Sequence, residues 1–408
     1  MQEPPGDVYD VNSNSGPDGD GFRAKEAVAD GTAVYAEQGD KLHLHRPLTL
    51  FRRVRGFACL ACLVLTSFVA LIFLSPFVFY LPRFFSVHYS RLWTSFFIGN
   101  WLSLWPYLFE EVNETKVIFS GEKVPGEDRV MIMCNHRTEV DWMYIWNLAI
   151  RKGKIGFCKY AVKDSVKNLP LFGWAFYVFE FLMLHRQWEV DAPVIKSYLD
   201  SFQDKRDPLW LIVFPEGTDF TEEKRDKGNA YARENGYPEL VNVLQPRTRG
   251  FVTCLSQLRG SLDAVYDLTI GYTKRCPLFI NNLYGTDPTE VHIHVRRIPI
   301  SEIPESEDGM SKWLYDIFLQ KDQMLATFSK TGSFPNSGIG ESPLNIPKGV
   351  FNFTLHVGIS LWIYWWLYNS MWLKMFVALS CLVLALGTYF DWRPTPFNSS
   401  LGTKRKVL

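Results

Sequence analysis

The sequence predicts an α/β domain, a mixed sheet flanked by helices, set between membrane-embedded helical hairpins at both ends. Three observations predict it. Between about residues 115 and 330, short β-rich runs (KVIFSG, RVMIMC, LWLIVF, DAVYDLTIGY and EVHIHVRRIPI) alternate with longer amphipathic stretches, the pattern of strands joined by covering helices. Phe57 to Pro82 carries no charge, and FNFTLHVGISLWIYWWLYNS and MWLKMFVALSCLVLALGTYF add two apolar runs near the other end; a helix needs about 20 such residues to cross a bilayer. An aromatic content of 15% with 14 Trp suits a chain that meets lipid.

In chain order, residues 1–40 are rich in Asp, Glu, Gly, Ser and Asn and read as a disordered acidic tail, because they cannot bury enough surface to offset the entropy of ordering. Residues 41–112 begin with a basic segment carrying Arg46, Arg52, Arg53 and Arg55 and continue into the first apolar run. A cleaved signal peptide would sit at the very N-terminus with a shorter core, so this run is expected to stay in the membrane. LWTSFFIGNWLSLWPYLF, aromatic and broken by Pro106, suits an interfacial or re-entrant helix that completes a hairpin dipped into one leaflet. Residues 113–330 form the α/β domain, 331–348 a linker rich in Gly, Ser and Pro, and 349–392 a second hairpin split between Asn369 and Lys374.

The basic tail 393–408 ends in KRKVL, with Lys406 and Lys404 three and five from the end, a spacing resembling a cytosolic endoplasmic reticulum retrieval signal. With the arginines before the first apolar run, this predicts an endoplasmic reticulum membrane protein whose folded domain faces the cytosol. Asn113, in the sequon NET, is then expected to stay unmodified.

Lys plus Arg and Asp plus Glu both number 43, so the formal net charge is zero and no excess positive field points to nucleic acid. The seven cysteines are scattered, two of them inside the first apolar run, which matches neither a disulfide framework nor a zinc site.

Two polar clusters follow buried-looking strands. CNHRTEVDW places His136 and Asp141 five apart. On one continuous helix that is roughly 140° off alignment, so they can meet only if His136 sits in a loop and Asp141 in the first helical turn, as a base and its orienting carboxylate. From the spacing alone, a helix cap built on Asn135 or Thr138 serves equally well. The second cluster, VFPEGTDF (213–220), ends the run LWLIVF on Glu216 and Gly217, and ligands of α/β sheets bind at the carboxyl ends of strands.

Together these blocks resemble the glycerophospholipid acyltransferase family. NH-x4-D is followed about 75 residues later by FPEGT; KNLPLFGWAFYVFEFLMLHRQWEVD, with Arg186, resembles that family's second block and LQPRTRGF its fourth. The wording of NHRTEVDW, FPEGTDFTEEK and PRTRGF is similar to the plant lysophosphatidate acyltransferase branch, close to lysocardiolipin acyltransferases. The resemblance covers roughly residues 100–330. It implies transfer of an acyl group from acyl-CoA, as co-substrate, to the sn-2 hydroxyl of lysophosphatidate at a membrane, with no metal or further cofactor. Lysocardiolipin or another lysophospholipid is the alternative acceptor, and a non-catalytic lipid-binding scaffold the alternative of another class. It makes His136 the general base and Asp141 its partner. Arg186 becomes the holder of the acceptor phosphate, and Asn135, Glu216, Gly217, Thr218, Arg247 and Arg249 belong to the substrate site. One departure stands out: many members read FPEGTRS, whereas Asp219 and Phe220 stand here in place of the Arg and Ser.

Three other patterns compete for chemistry. Cys134 and His136 could share a strand face as a Cys–His acyl-enzyme pair, against a small buried residue ending a strand. His292 and His294 alternate like a zinc pair but lack a third ligand. Lys159, Lys163 and Lys167 recur every four residues and predict one basic helical face.

Overall fold

The computed structural model describes residues 46–169, 171–273, 275–337 and 341–397; the acidic tail and the KRKVL end lie outside them. Helix α1 (Leu50–Val69) continues through looser turns to Arg83, and Leu50–Leu74 is long and apolar enough to cross a membrane. The arginines before and within its first turns are engaged by the folded domain. Arg46 donates to the Asn113 and Glu114 carbonyls, Arg52 to that of Gly285 (2.6 Å), and Arg55 to those of Val112 (3.0 Å) and Tyr284. The start of α1 is thereby fastened to the folded domain. Asn113 belongs to the same joint: it is buried, receives Arg55 at 2.8 Å and donates to Asn282 O. That packing closes the sequon to glycan on either side of a membrane.

Helix α2 (Val87–Leu102) buries Ser90, Arg91, Thr94, Ser95 and Ile98 and turns Tyr89, Trp93 and Phe96 outward. Up to Ser95 its small and polar stripe is packed on the domain and its aromatic stripe is exposed, while Ile98, Trp101 and Leu102 are buried at its far end. Arg91 fixes it, donating to Glu180 (2.9 Å) and Asp207 (2.7 Å), while Arg83 reaches the other Glu180 oxygen at 3.0 Å.

The sheet has seven strands in the order β1-β7-β6-β2-β5-β3-β4. They are β1 (Lys116–Gly121), β2 (Val130–Cys134), β3 (Cys158–Lys163), β4 (Leu182–Leu184), β5 (Trp210–Val213), β6 (Ala264–Tyr272) and β7 (Glu290–Pro299). Strands β6, β2, β5, β3 and β4 run parallel; β7 opposes β6 and carries β1 parallel to itself. All residues of β2 and β6 are buried, which is why they read as unbroken apolar runs. Val130, Ile132 and Cys134 face a core shared with α1, α2 and helix α3 (Asp141–Arg151). Met131 and Met133 face the other core. Helix α4 (Phe172–Val178) precedes β4, and α5 (Trp188–Asp200) follows it. Helices α6 (Glu222–Asn235) and α7 (Thr248–Leu258) lie between β5 and β6, and α8 (Phe279–Tyr284) between β6 and β7. Helix α9 (Glu307–Thr331) then covers the second core through Leu314, Phe318 and Leu325.

Two strands escaped the sequence reading, and one of them overturns the basic helix. Lys159 and Lys163 lie on β3, not on a helix. Lys159 points inward and donates to Phe179 O at 2.7 Å, and Lys167 pairs with Asp164 in the next turn. A four-residue repeat is also two pleats of a strand, so the period alone does not separate the two.

The linker is pinned to the domain: Lys152 pairs with Glu341 and Arg151 donates to Ser342 O, both at 2.8 Å. Helices α10 (Ile346–Asn369) and α11 (Met371–Phe390) are joined at Ser370. Both qualify as candidate spans, at about 36 and 30 Å by helical rise against a hydrocarbon core of about 30 Å. Trp365, Tyr368, Met371 and Trp372 are exposed around their junction, as an aromatic belt at a membrane surface would be. The far end of α11 returns to the domain, where Tyr177 donates to Trp392 O and Phe397 stacks on Phe84 at 5.3 Å.

Glu180 compensates two buried arginines, and their charges hold its carboxyl well below the usual range although burial alone would raise it. Glu180→Ala should therefore destabilise the protein by roughly 3–5 kcal/mol, read as a lower thermal midpoint in detergent. A change of a few tenths would mean that water reaches Arg83 and Arg91.

Candidate active site

Strand β2 ends at Cys134, a loop of six residues follows, and α3 begins at Asp141, the one arrangement in which the two side chains can meet. His136 Nδ1 lies 2.9 Å from Asp141 Oδ2, with the Asp141 side chain 0% and the His136 side chain 18% exposed. The same Oδ2 accepts the backbone N–H of Arg137 (2.5 Å) and Thr138 (2.8 Å), and Tyr272 donates to Oδ1 at 2.6 Å. Asp141 thus ties the loop and orients the imidazole at once; the alternative, a helix cap on Asn135 or Thr138, is not what the structure shows, since Val140 stands at the N-cap without a side-chain bond, Asn135 bonds Ile270 and Thr138 donates to Pro277 O. The imidazole stacks near Phe214, ring centroids 4.5 Å apart. Nδ1 is engaged by Asp141, and among the described residues no hydrogen bond occupies Nε2.

Glu216 holds the loop from the other side. Its Oε1 accepts His136 N (2.9 Å) and its Oε2 accepts Leu244 N (3.0 Å), while Phe220 N donates to His136 O (2.8 Å). Expected as a substrate wall, Glu216 is instead a buried clasp with both oxygens committed to backbone amides. Asn135 changes role likewise: its side chain is buried and exchanges both hydrogen bonds with Ile270, stitching β2 to β6. Gly217 has φ +73°, and a Cβ there would meet Arg247 Cδ and Nε at 3.2 Å, so the bare backbone lets that arginine lie across the turn.

Asp219 is not an unopposed anion. Lys224, in the first turn of α6, donates to Asp219 Oδ1 (3.0 Å), Asp219 O (3.0 Å) and Thr218 Oγ1 (2.9 Å). These bonds hold the Asp219 carboxyl below its ordinary value against the effect of burial. Arg247 and Arg249 stand exposed at the start of α7, with Arg247 N bonded to Pro215 O at 2.7 Å. Arg186 is exposed after β4 with φ +64°, its flanks held by Asp191, which accepts from His185 N and Gln187 N. Strand β4 is three places from β2 in the sheet, about 14 Å at strand spacing, and among the described residues no hydrogen bond or ion pair joins Arg186 to the His136 cluster.

The rival patterns fall elsewhere. Cys134 is fully buried, and that burial pushes its thiol well above the usual range, the opposite of an activated nucleophile. His292 contacts Glu290 and His294 contacts Ser120 at 3.0 Å; each has a separate partner. Tyr272 and Lys224 carried no signal in the sequence beyond membership of a strand and of a charged helix.

An imidazole whose far nitrogen is fixed by a dry carboxylate, at the strand ends of a sheet flanked by bilayer-length helices, defines a membrane-associated α/β protein equipped to move a proton. The chain belongs to the acyltransferase family. The acyltransferase family model matches residues 116–272 and the acyltransferase C-terminus model residues 281–358. It is 51% identical over 363 residues to probable 1-acyl-sn-glycerol-3-phosphate acyltransferase 5 of Arabidopsis thaliana, covering 88% of this chain and 96% of that one. Lysocardiolipin acyltransferase 1 of Gallus gallus is 37% identical over 284 residues, 68% of this chain and 74% of that one. The crystal structure of the 1-acyl-sn-glycerophosphate acyltransferase of Thermotoga maritima matches with a TM-score of 0.40 at 16% identity, covering 67% of this chain and 96% of that one.

Burial lowers the basicity of His136, but the hydrogen bond and charge of Asp141, with Glu216 and Asp219 behind it, raise it above its ordinary value overall. Burial pushes the Glu216 carboxyl up from 4.5 to about 7, against its two backbone bonds. The protonated Glu216 therefore contributes stability that is complete below about pH 4.5 and lost as pH rises through 7. Glu216→Gln removes that titration. The stability difference between wild type and variant should narrow by up to a few kcal/mol from about pH 5 to 8, measured by chemical denaturation at each pH. A constant difference would show that Glu216 ionises as an ordinary carboxylate.

Proposed function

We propose that the protein transfers an acyl group from acyl-CoA to the sn-2 hydroxyl of lysophosphatidate, with His136 as general base and no cofactor beyond the donor. The observation that carries this reading is the His136–Asp141 pair, whose geometry leaves Nε2 for a substrate hydroxyl. The acceptor follows the Arabidopsis relative's name, 1-acyl-sn-glycerol-3-phosphate acyltransferase. The Gallus relative's name favours lysocardiolipin as the second reading.

A lipid hydroxyl is a weak nucleophile until a base near neutral pKa takes its proton. The acceptor O–H donates to Nε2; as its oxygen bonds to the thioester carbonyl carbon, the proton passes to the imidazole. Asp141 keeps the proton of the free imidazole on Nδ1 and stabilises the imidazolium. Collapse of the tetrahedral adduct breaks the carbon–sulfur bond, and the departing thiolate, a good leaving group, recovers the proton from Nε2. Asn135, Glu216, Gly217 and Thr218 hold the loops in register. Arg186, Arg247 and Arg249 are the cations offered to phosphate, where guanidinium forks match phosphate oxygens. The docked start of α1 keeps the domain on the side of the basic segment, which we take to be the cytosolic face of the endoplasmic reticulum, where acyl-CoA is made.

His136→Ala should lower kcat about 10²- to 10⁴-fold while acyl-CoA still binds, and Cys134→Ala should keep most activity. A dead Cys134→Ala variant, with an acyl-protein adduct trapped in wild type, would replace direct transfer by an acyl-enzyme. Arg186→Lys keeps the charge but loses the fork. Its kcat/KM should fall more for lysophosphatidate than for a zwitterionic lysophospholipid; equal losses would assign Arg186 to the fold or the donor.

A further inference from the structure

We propose that Tyr272 is a positioning residue of the acyl-transfer pair: its hydroxyl holds Oδ1 of Asp141, leaving Oδ2 to the imidazole, and so sets the pH range in which His136 works as a base. This rests on His136 being the base. Tyr272 is the last residue of β6, the strand beside β2, and its ring is buried edge-on to Tyr144. Among the described residues its hydroxyl is the side-chain donor that reaches Oδ1, at 2.6 Å, whereas Oδ2 carries His136, Arg137 N and Thr138 N. Burial, reinforced by the Asp141 charge, pushes the phenol well above its usual range, so it stays a neutral donor.

A carboxylate with four donors is a weaker base than one with three. Without the phenol, the negative charge of Asp141 is less dispersed and stabilises the imidazolium more strongly, so His136 keeps its proton to higher pH. The other groups facing the pair are Glu216 and Asp219 after β5, Arg137 in the loop, Tyr144 on α3, Cys134 ending β2 and Cys276 after β6. Tyr272→Phe leaves all six in place, so a shift in the profile isolates the one hydrogen bond. A purely structural tyrosine, paired only because a buried hydroxyl needs an acceptor, would lower stability without moving the profile.

The test is kcat/KM between pH 5 and 9 on the full-length protein in detergent, with one acyl-CoA and lysophosphatidate, for wild type, Tyr272→Phe, Asp141→Asn and the double variant. In Tyr272→Phe the ascending limb should move up by about half to one pH unit, with activity at pH 7 reduced about three- to tenfold. In the Asp141→Asn background the same substitution should change activity less than about twofold, because its effect passes through Asp141. An unshifted limb, or an equal loss in both backgrounds, would overturn the proposal. Should Tyr272→Phe fail to fold, 3-fluorotyrosine at 272, a stronger donor of nearly the same shape, should move the limb down; a limb that stays or rises is again a refutation. An active His136→Ala variant would remove the base itself, an outcome separate from an unshifted limb in an enzyme that needs His136.

Discussion

A carboxylate cut off from water must find its solvation inside the protein, and Asp141 finds it in four donors. Supplying them dictates the local geometry. The chain must turn sharply after β2 so that Arg137 N and Thr138 N point at Oδ2, α3 must begin at Asp141, and β6 must lie beside β2 so that Tyr272 reaches Oδ1. Glu216 repeats the principle from β5, gathering His136 N and Leu244 N. Leaving any such buried acceptor unpaired costs about 1–3 kcal/mol, so the loop is held by a constraint stronger than its own turn propensity.

Support for that loop extends outward by contiguous contacts. Arg137 donates to Asn242 O (2.6 Å), and Asp322 of α9 accepts Val241 N and Asn242 N. Thr138 donates to Pro277 O and Glu139 accepts Phe279 N at the head of α8. Helix α8 in turn is gripped by Tyr144 through Asn282 and by α1 through Arg52 and Arg55. Gly56 allows this grip, since a Cβ there would meet Tyr284 Cδ1 at 2.5 Å. The first candidate membrane helix and the loop carrying the imidazole are therefore joined through one short helix. The arginines before the apolar run, expected to mark topology, close that joint.

Legibility in the sequence followed the range of each cause. Fully buried strands declared themselves as apolar runs, and the bilayer-length helices by long stretches nearly free of charge, because both signals are local. His136 and Glu216 lie just beyond the ends of β2 and β5 and Asp141 at the start of α3, positions legible in the sequence, whereas their roles came only from the family resemblance. Strands β3 and β4 were missed because Cys158–Lys163 buries a lysine whose partner, the Phe179 carbonyl, lies 20 residues on. Tyr272 was invisible since its partner is 131 residues away and an aromatic ending a strand is ordinary. Asn135 and Glu216, expected to meet substrate, bond the backbone of Ile270 and of His136 and Leu244 instead: a motif shows where polar groups gather, and only packing shows that their hydrogen bonds are already spent.

The charge of the site wall follows from the same accounting. Asp219 beside Glu216 would repel an anionic acceptor, but Lys224 neutralises it from the next helix, and Glu216, raised to about 7, carries only part of a charge at neutral pH. The wall is then close to neutral, and the cations that could meet a phosphate, Arg186, Arg247 and Arg249, all stand exposed. Contacts between exposed charges are each worth about 0–1 kcal/mol and are screened by salt. An acceptor held mainly by such contacts would bind weakly from water, whereas the lysophospholipid proposed above, if confined to a membrane beside α1, would arrive at high local concentration. On the proposed reading the membrane would then supply most of the encounter, and the arginines would serve to orient the headgroup rather than to capture the acceptor from water.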